Sequence, residues 1–340
     1  MKWLHGVMTA TLAAGCAAPA GDDDDGSGAQ AGPDAGETAA EADTTANPTT
    51  APTSDGGESG GEPVLRGACP LETKVGEFKV TLEDIYSAFS GVVADGVVPI
   101  TVLETVGEEG GCRLLRRNNP VCDPPCQPGT TCDFSGECIV YPANHDVGTV
   151  TVTGLVQPVV VEPVMPTYDY FDSTLMHPAC EPGSAIALTA TGGDYAAFTL
   201  YGEGVAAIEP ASEMLVMKKG QALALQWAAG AGAAHVRVDL TIDQHGNTPV
   251  KLICVGEDSG SMTVPESLIA QLIDFGISGF PSAQWYRETV DSTALAPGCV
   301  EFAVRSHRET LLGVEGHTPC NKPDDCPEGQ ICDILIQTCK

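Results

Sequence analysis

Cys122, Cys126, Cys132 and Cys138 are separated by three, five and five residues, and Cys320, Cys326, Cys332 and Cys339 by five, five and six. In both sets glycine stands three places after the second cysteine (Gly129, Gly329) and aspartate follows the third (Asp133, Asp333), so one short module occurs twice. Four thiols so placed have three chemistries open to them. A zinc site needs close Cys-x2–4-Cys pairs that bring four thiolates to one tetrahedron; Cys122 and Cys126 meet that loosely, and the second copy has no such pair. Thiol exchange needs Cys-x-x-Cys near a βαβ pattern, and neither feature is present. Loop-rich segments with little core need covalent staples, so two disulfides per module are expected, each stabilising by about 2–4 kcal/mol. No metal site and no cofactor are expected.

The core Cys326-Pro-Glu-Gly-Gln-Ile-Cys332 resembles the repeats of Dickkopf-type and EGF-like cysteine-rich domains, over some twenty residues per copy. First-to-third and second-to-fourth pairing is common in those families. The resemblance therefore implies Cys122–Cys132 with Cys126–Cys138, and Cys320–Cys332 with Cys326–Cys339, although four cysteines alone leave three connectivities open. It implies a rigid knob and no activity. Of the other cysteines, Cys69 is expected to pair with Cys112 in the first hairpin region and Cys254 with Cys299 between two late strands, which leaves Cys180 free or paired elsewhere.

Two arrangements have the residue types for hydrolysis. Asp258-Ser259-Gly260-Ser261 resembles the active-site turn of aspartic proteases, where two carboxylates share a proton and activate water. Gly256 and Glu257 separate it from the preceding apolar run, and no second Asp-Ser/Thr-Gly element occurs. A polar turn explains the same letters. Asp243, His245 and Ser259 could act as orienter, base and nucleophile, but no Gly-x-Ser-x-Gly elbow supports them. His145, His177, His235, His307 and His317 are scattered, so a histidine metal site is not expected. The run GDDDDG (21–26) lacks the spacing of a calcium loop. Tyr168, Tyr170 and Phe171, interleaved with Asp169 and Asp172, either grip a protein or carbohydrate ligand or cap a core, with capping the favoured role.

Strands must position these residues. HVRVDLTID (235–243) alternates strictly, with Val236, Val238, Leu240 and Ile242 on one side. Shorter runs at 149–153, 221–227, 249–254 and 300–304 repeat the theme between glycine-rich turns. Such spacing predicts a mainly β fold, a β-sandwich or barrel-like core with one short helix and two disulfide-stapled mini-modules. The helix is expected from Pro265 at its first position to a stop at Gly276, with Leu268, Ile269, Leu272 and Ile273 on one face and the whole packed across an open end or edge. A helical turn is expected over 82–89.

The chain begins with Lys2 and a short apolar run that is far below the roughly 20 residues a membrane span needs. Leu12-Ala13-Ala14-Gly15-Cys16 resembles the lipobox of bacterial lipoproteins, which implies cleavage before Cys16 and lipidation of its thiol. Ala17, in place of an aspartate, points to the outer membrane. Residues 16–68 hold eleven acids between Asp22 and Glu62 and read as a disordered acidic tether. The rest divides into a β-sandwich domain over 69–317, a module inserted at about 119–142, and a terminal module at 318–340. A net charge of −30 with only 16 basic residues excludes nucleic acid as a partner. In layout the whole chain resembles cysteine-rich lipoproteins exported by large-genome bacteria. The expected function is non-enzymatic, a lipid-anchored envelope protein with a structural or binding role; the alternative is an exported hydrolase built on Asp258 or on Ser259 with His245.

Overall fold

The computed structural model describes residues 64–243 and 250–340. The expected signal peptide, Cys16, nearly all of the tether, and His245 with its turn lie outside the described residues. Strands β1 (Lys74–Leu82), β2 (Ser87–Val93), β3 (Leu103–Glu109) and β4 (Cys112–Arg117) precede the first module, whose hairpin is β5 (Thr130–Cys132) and β6 (Cys138–Val140). Next come β7 (Val150–Thr153), β8 (Val159–Val161), β9 (Tyr170–Leu175), β10 (Ala185–Ala190), β11 (Phe198–Glu203), β12 (Met214–Met217), β13 (Leu223–Gln226), β14 (His235–Thr241), β15 (Val250–Glu257) and β16 (Ser261–Val264). Helix α1 (Glu266–Asp274) leads into the two longest strands, β17 (Ser282–Ala294) and β18 (Cys299–Val314). The short pair β19 (Cys332–Asp333) and β20 (Thr338–Cys339) completes the second module.

One open sheet organises the described chain, in the order β3-β4-β15-β14-β17-β18-β1-β2-β9. Strand β18 lies at its centre. It pairs antiparallel with β17 along the whole of that strand; its other edge takes β1 in parallel over 299–306 and then β12 in parallel over 311–314. Two sets of elements cover one face. Sheet β11-β10-β7-β8 covers one half, and Phe78, Phe89, Tyr170, Leu188, Leu200 and Phe302 fill the space between. The pair β13-β16 and helix α1 cover the other, over a core that includes Leu114, Val238, Leu252, Leu268, Leu272 and Trp285. The sandwich therefore has two cores over one continuous sheet, and period-2 alternation carries both: Trp285 on β17 and Phe302 on β18 point to the same side. The sheet is not closed into a barrel; β3 and β9 are its edges.

Two expectations about elements change. No helical turn covers 82–89: β1 and β2 form a hairpin across 83–86, with Glu83 N–H bonded to Tyr86 O at 2.9 Å. Burial of Leu82, Ser87 and Phe89 satisfies a strand as well as a turn. Pro265 is the N-cap residue of α1, with extended backbone at ψ 140°, one position earlier than expected. The helix buries Leu268, Ile269 and Leu272 against β3, β4 and β15, at an edge of the large sheet.

Six disulfides tie the described residues. The modules contain Cys122–Cys132, Cys126–Cys138, Cys320–Cys332 and Cys326–Cys339. The expected Cys69–Cys112 and Cys254–Cys299 bridges are replaced by Cys69–Cys299 and Cys112–Cys254. Strand order decides this. Strand β4 lies beside β15, so Cys112 and Cys254 are direct cross-strand partners with Cα atoms 4.0 Å apart. The start of β1 lies beside the start of β18, which brings Cys69 to Cys299 with Cα atoms 5.8 Å apart. Cys180 is free and buried. A chain folded around six disulfides is built for an oxidising compartment.

Candidate functional site

Along the edge of β18 the pairing with β1 ends at Ser306 and that with β12 begins at Leu311, and a cleft of about 380 Å³ lies beside the residues between. Residues 306–308 in the middle of β18 form one wall, the β1–β2 hairpin with Leu82, Glu83 and Asp84 another, and the loops at 177–182 and 205–209 the remainder. Leu82, Cys180, Val205 and Ile208 are buried and give an apolar floor. The 205–209 segment is held to β18 by the Ile208 N–H, which donates to Ser306 Oγ at 2.9 Å. At the rim the Arg308 guanidinium meets Asp84 at 3.6 Å and Glu213 at 3.0 Å. His307 places Nδ1 2.7 Å from Glu83 Oε2 and stacks on Tyr286 at 4.9 Å.

Cys180 lines this cleft and Ser87 lies behind His177 of its wall, and neither is set up to attack. Burial pushes the Cys180 thiol above its ordinary value, which disfavours the reactive thiolate. Ser87 Oγ lies 3.0 Å from His177 Nδ1, a serine–histidine contact of the right length, but the Ser87 side chain is wholly buried and cannot meet a substrate. An apolar floor with a few convergent polar groups suits binding. Nothing local in the sequence singles out His177 or Cys180 beyond their residue types, because their partners come from β2 and from the 205–209 segment, far along the chain.

Asp258 lies away from solvent as one half of a structural lattice. Its Oδ1 accepts from the Trp227 indole N–H at 2.7 Å and from Arg287 Nη2 at 3.1 Å, and its Oδ2 from Arg287 Nε at 2.7 Å. Burial alone would raise this carboxyl, yet the Arg287 and Trp227 hydrogen bonds hold it below the usual carboxylate range. Arg287, almost fully buried, also donates to the carbonyls of Ala207 and Ala228, which fixes the loops behind the cleft. Such a carboxylate is locked in its ionised form with its lone pairs occupied, unlike the proton-sharing pair of an aspartic protease. Ser259 Oγ donates to Ser261 O at 3.3 Å, and Asp243 accepts from Ser278 Oγ. The missed signal was Arg287, a charge at an inward period-2 position next to Trp285, which demands a buried counter-ion.

The aromatic patch divides between the two faces of β9. Tyr170 points inward, only 1% exposed, with its ring edge-on to Phe78 at 5.6 Å; its hydroxyl accepts from the Val147 N–H and donates to Gly148 O. Desolvation pushes its phenol up to about 12. Tyr170 is thus part of the core and not of a binding patch. Phe171 points outward, 59% exposed, beside a shallow hollow lined by Glu77, Lys79 and Ser90. Tyr168 is a half-buried turn residue with φ 51°.

The uncovered face of the large sheet carries charges in alternating sign. Glu288 is 3% exposed and lies 3.4 Å from both His235 Nε2 and Arg237 Nη1, and Arg237 stacks over the Tyr286 ring at 4.2 Å. Burial pulls the Glu288 carboxyl upward, and His235 with Arg237 outweighs it, leaving the carboxyl below its ordinary value. These pairs neutralise one another across the strands. Among the described residues the only groups with metal-ligand spacing are Cys122, Cys126, Cys132 and Cys320, Cys326, Cys339, whose sulfurs are consumed in disulfides.

No family model and no curated protein matches the chain. Among solved structures it is similar to a 1.5-MDa bacterial ice-binding adhesin, at 11% identity and a TM-score of 0.16 over 74% of this chain and 68% of that one. Murine CEACAM1b is similar at 8% identity and a TM-score of 0.16, over 70% of this chain and 99% of that one. A Ca2+-stabilised adhesin of an Antarctic bacterium matches at 12% identity and a TM-score of 0.16, over 73% of this chain and 52% of that one. Likeness at that level carries no functional argument.

Proposed function

We propose that this is a non-enzymatic, lipid-anchored protein of the bacterial cell envelope, attached to the outer membrane through acyl chains on Cys16 and offering the cleft over β18 to a protein or carbohydrate ligand. One observation carries the binding reading: the cleft is open and apolar-floored, and the one thiol that lines it, Cys180, is buried, while elsewhere in the fold Asp258 is committed to Arg287 and Trp227. The six disulfides support export. Several acyl chains, at about 0.8 kcal/mol per buried methylene, suffice for stable attachment where one does not.

Two measurements test this. Intact mass of the native protein should show cleavage before Cys16 and an acylated N-terminus, and Cys16→Ala should release the protein from membranes; an uncleaved, unacylated chain would remove the anchor. Labelled protein on glycan and peptide arrays should give hits that Ala207→Trp, placed in the cleft wall, abolishes while the circular dichroism spectrum is kept. A hydrolase activity that Asp258→Asn removes without loss of stability would overturn the binding reading.

A further inference from the structure

The chain enters the fold at the same end of β18 where that strand begins. Arg66 clamps the buried Asp291 of β17 with Nε and Nη2, each at 2.8 Å, and its backbone N–H adds a third bond at 3.0 Å. Gly67 N–H bonds Val290 O at 3.2 Å, and Cys69 N–H donates to Glu301 Oε2 at 3.0 Å. Cys69 is then joined covalently to Cys299, the first residue of β18. From there β18 runs for 16 residues to Val314 and leads straight into the second module, itself closed by Cys320–Cys332 and Cys326–Cys339. That module is seated by Gly279 N–H on Ile336 O and by His317 Nε2 on Gly279 O, each at 2.8 Å.

We propose a mechanical role: tension between the N-terminal tether and the C-terminal module runs through the Cys69–Cys299 bond and along β18, and leaves the segment between those cysteines unloaded. A strand already rises about 3.3 Å per residue against a limit near 3.6 Å, so β18 has almost no slack to give up and transmits the pull through its backbone. The sheet around it need not break a hydrogen bond. Everything from β1 to β17 lies inside the loop that the disulfide closes. The cleft wall formed by residues 306–308 is on the same strand, so a ligand held there pulls on the same path. The meaning of this in a cell rests on the anchored N-terminus proposed above, whereas the molecular claim does not require a lipid.

The test is single-molecule stretching of the full oxidised chain by handles on its two termini. The closed loop, with a sequence separation of 230 between its cysteines, would add roughly 750–820 Å if extended. The oxidised protein should lengthen without a gain of that size. Reductant added to the same molecules under tension should produce it, and the Cys69→Ser/Cys299→Ser variant without reductant should gain only roughly 290–320 Å, because Cys112–Cys254 still closes a separation of 142 inside the loop. If that variant fails to fold, the reductant arm on the natural chain decides alone. A gain of that size from the oxidised protein, or none after reduction, would overturn the proposal. Loss of acylation at Cys16 in cells would instead strike the anchoring and leave the stretching result intact.

Discussion

At the scale of single residues, the charges inside this protein are structural, and their removal should register as lost stability. Breaking a buried pair leaves an uncompensated charge, which costs about 3–5 kcal/mol. Asp258→Asn or Arg287→Met should therefore lower the unfolding free energy by that order, read as a fall in the urea midpoint, since both side chains are almost fully buried; an unchanged midpoint would show the pair to be dispensable. The pH dependence has two opposite arms. Burial would raise the carboxyls of Asp258 and Asp291, but their hydrogen bonds to Arg287 and Arg66 bring the folded values below the ordinary one. Their contribution is present above the unfolded carboxylate value of about 3.9 and is lost as pH falls through the lower folded values. His145 runs the other way. Its Nδ1, 2.9 Å from Asp194, and its Nε2, 3.3 Å from Asp95, raise its folded value, so its contribution is full below the unfolded value of about 6.5 and is lost as pH rises through the higher folded one. His145→Gln should flatten the stability profile on that alkaline arm and leave the acid arm alone.

At the scale of elements, each layer depends on a few contacts with the large sheet. Helix α1 has only nine residues, too short to stand alone, so its buried face must hold it. Leu272→Ala should cost about 2–5 kcal/mol, read by chemical denaturation, and should raise amide exchange in α1 and β3 before it does in β10 and β11. Glycine at position 91 answers to close approach: a Cβ there would fall 2.0 Å from Phe78 Cδ1. Gly91→Ala must therefore push the Phe78 ring out of the first core and should lower the melting temperature, and a neutral result would mean that core yields freely. The elements that sequence patterning located were those with an unbroken apolar alternation, such as β14, whose Val236, Val238 and Leu240 all face inward. Strand β17 has no such pattern, because Arg287, Thr289 and Asp291 stand at inward positions, where partners on other elements neutralise or hydrogen-bond them. The 82–89 segment is ambiguous in sequence because one apolar residue every few places fits a turn of helix as well as a tight hairpin.

At the scale of the whole molecule, two cores share β17 and β18, which cross from one to the other without a break. Neither half can lose its sheet without loosening its neighbour, so calorimetry of the oxidised protein should show one transition for the described region; two resolved transitions would show that the halves unfold independently. The β class, the short helix and the duplicated cysteine module are legible in the sequence alone, because each rests on local periodicity or spacing that neighbours in the chain can satisfy. Only the tertiary structure decided that Cys69 meets Cys299, that Asp258 is held by Arg287, that Tyr170 is core, and that a cleft opens over β18. Those are facts of strand order. Strand β1 lies beside β18 and β4 beside β15, and no local pattern encodes which distant strand supplies a partner.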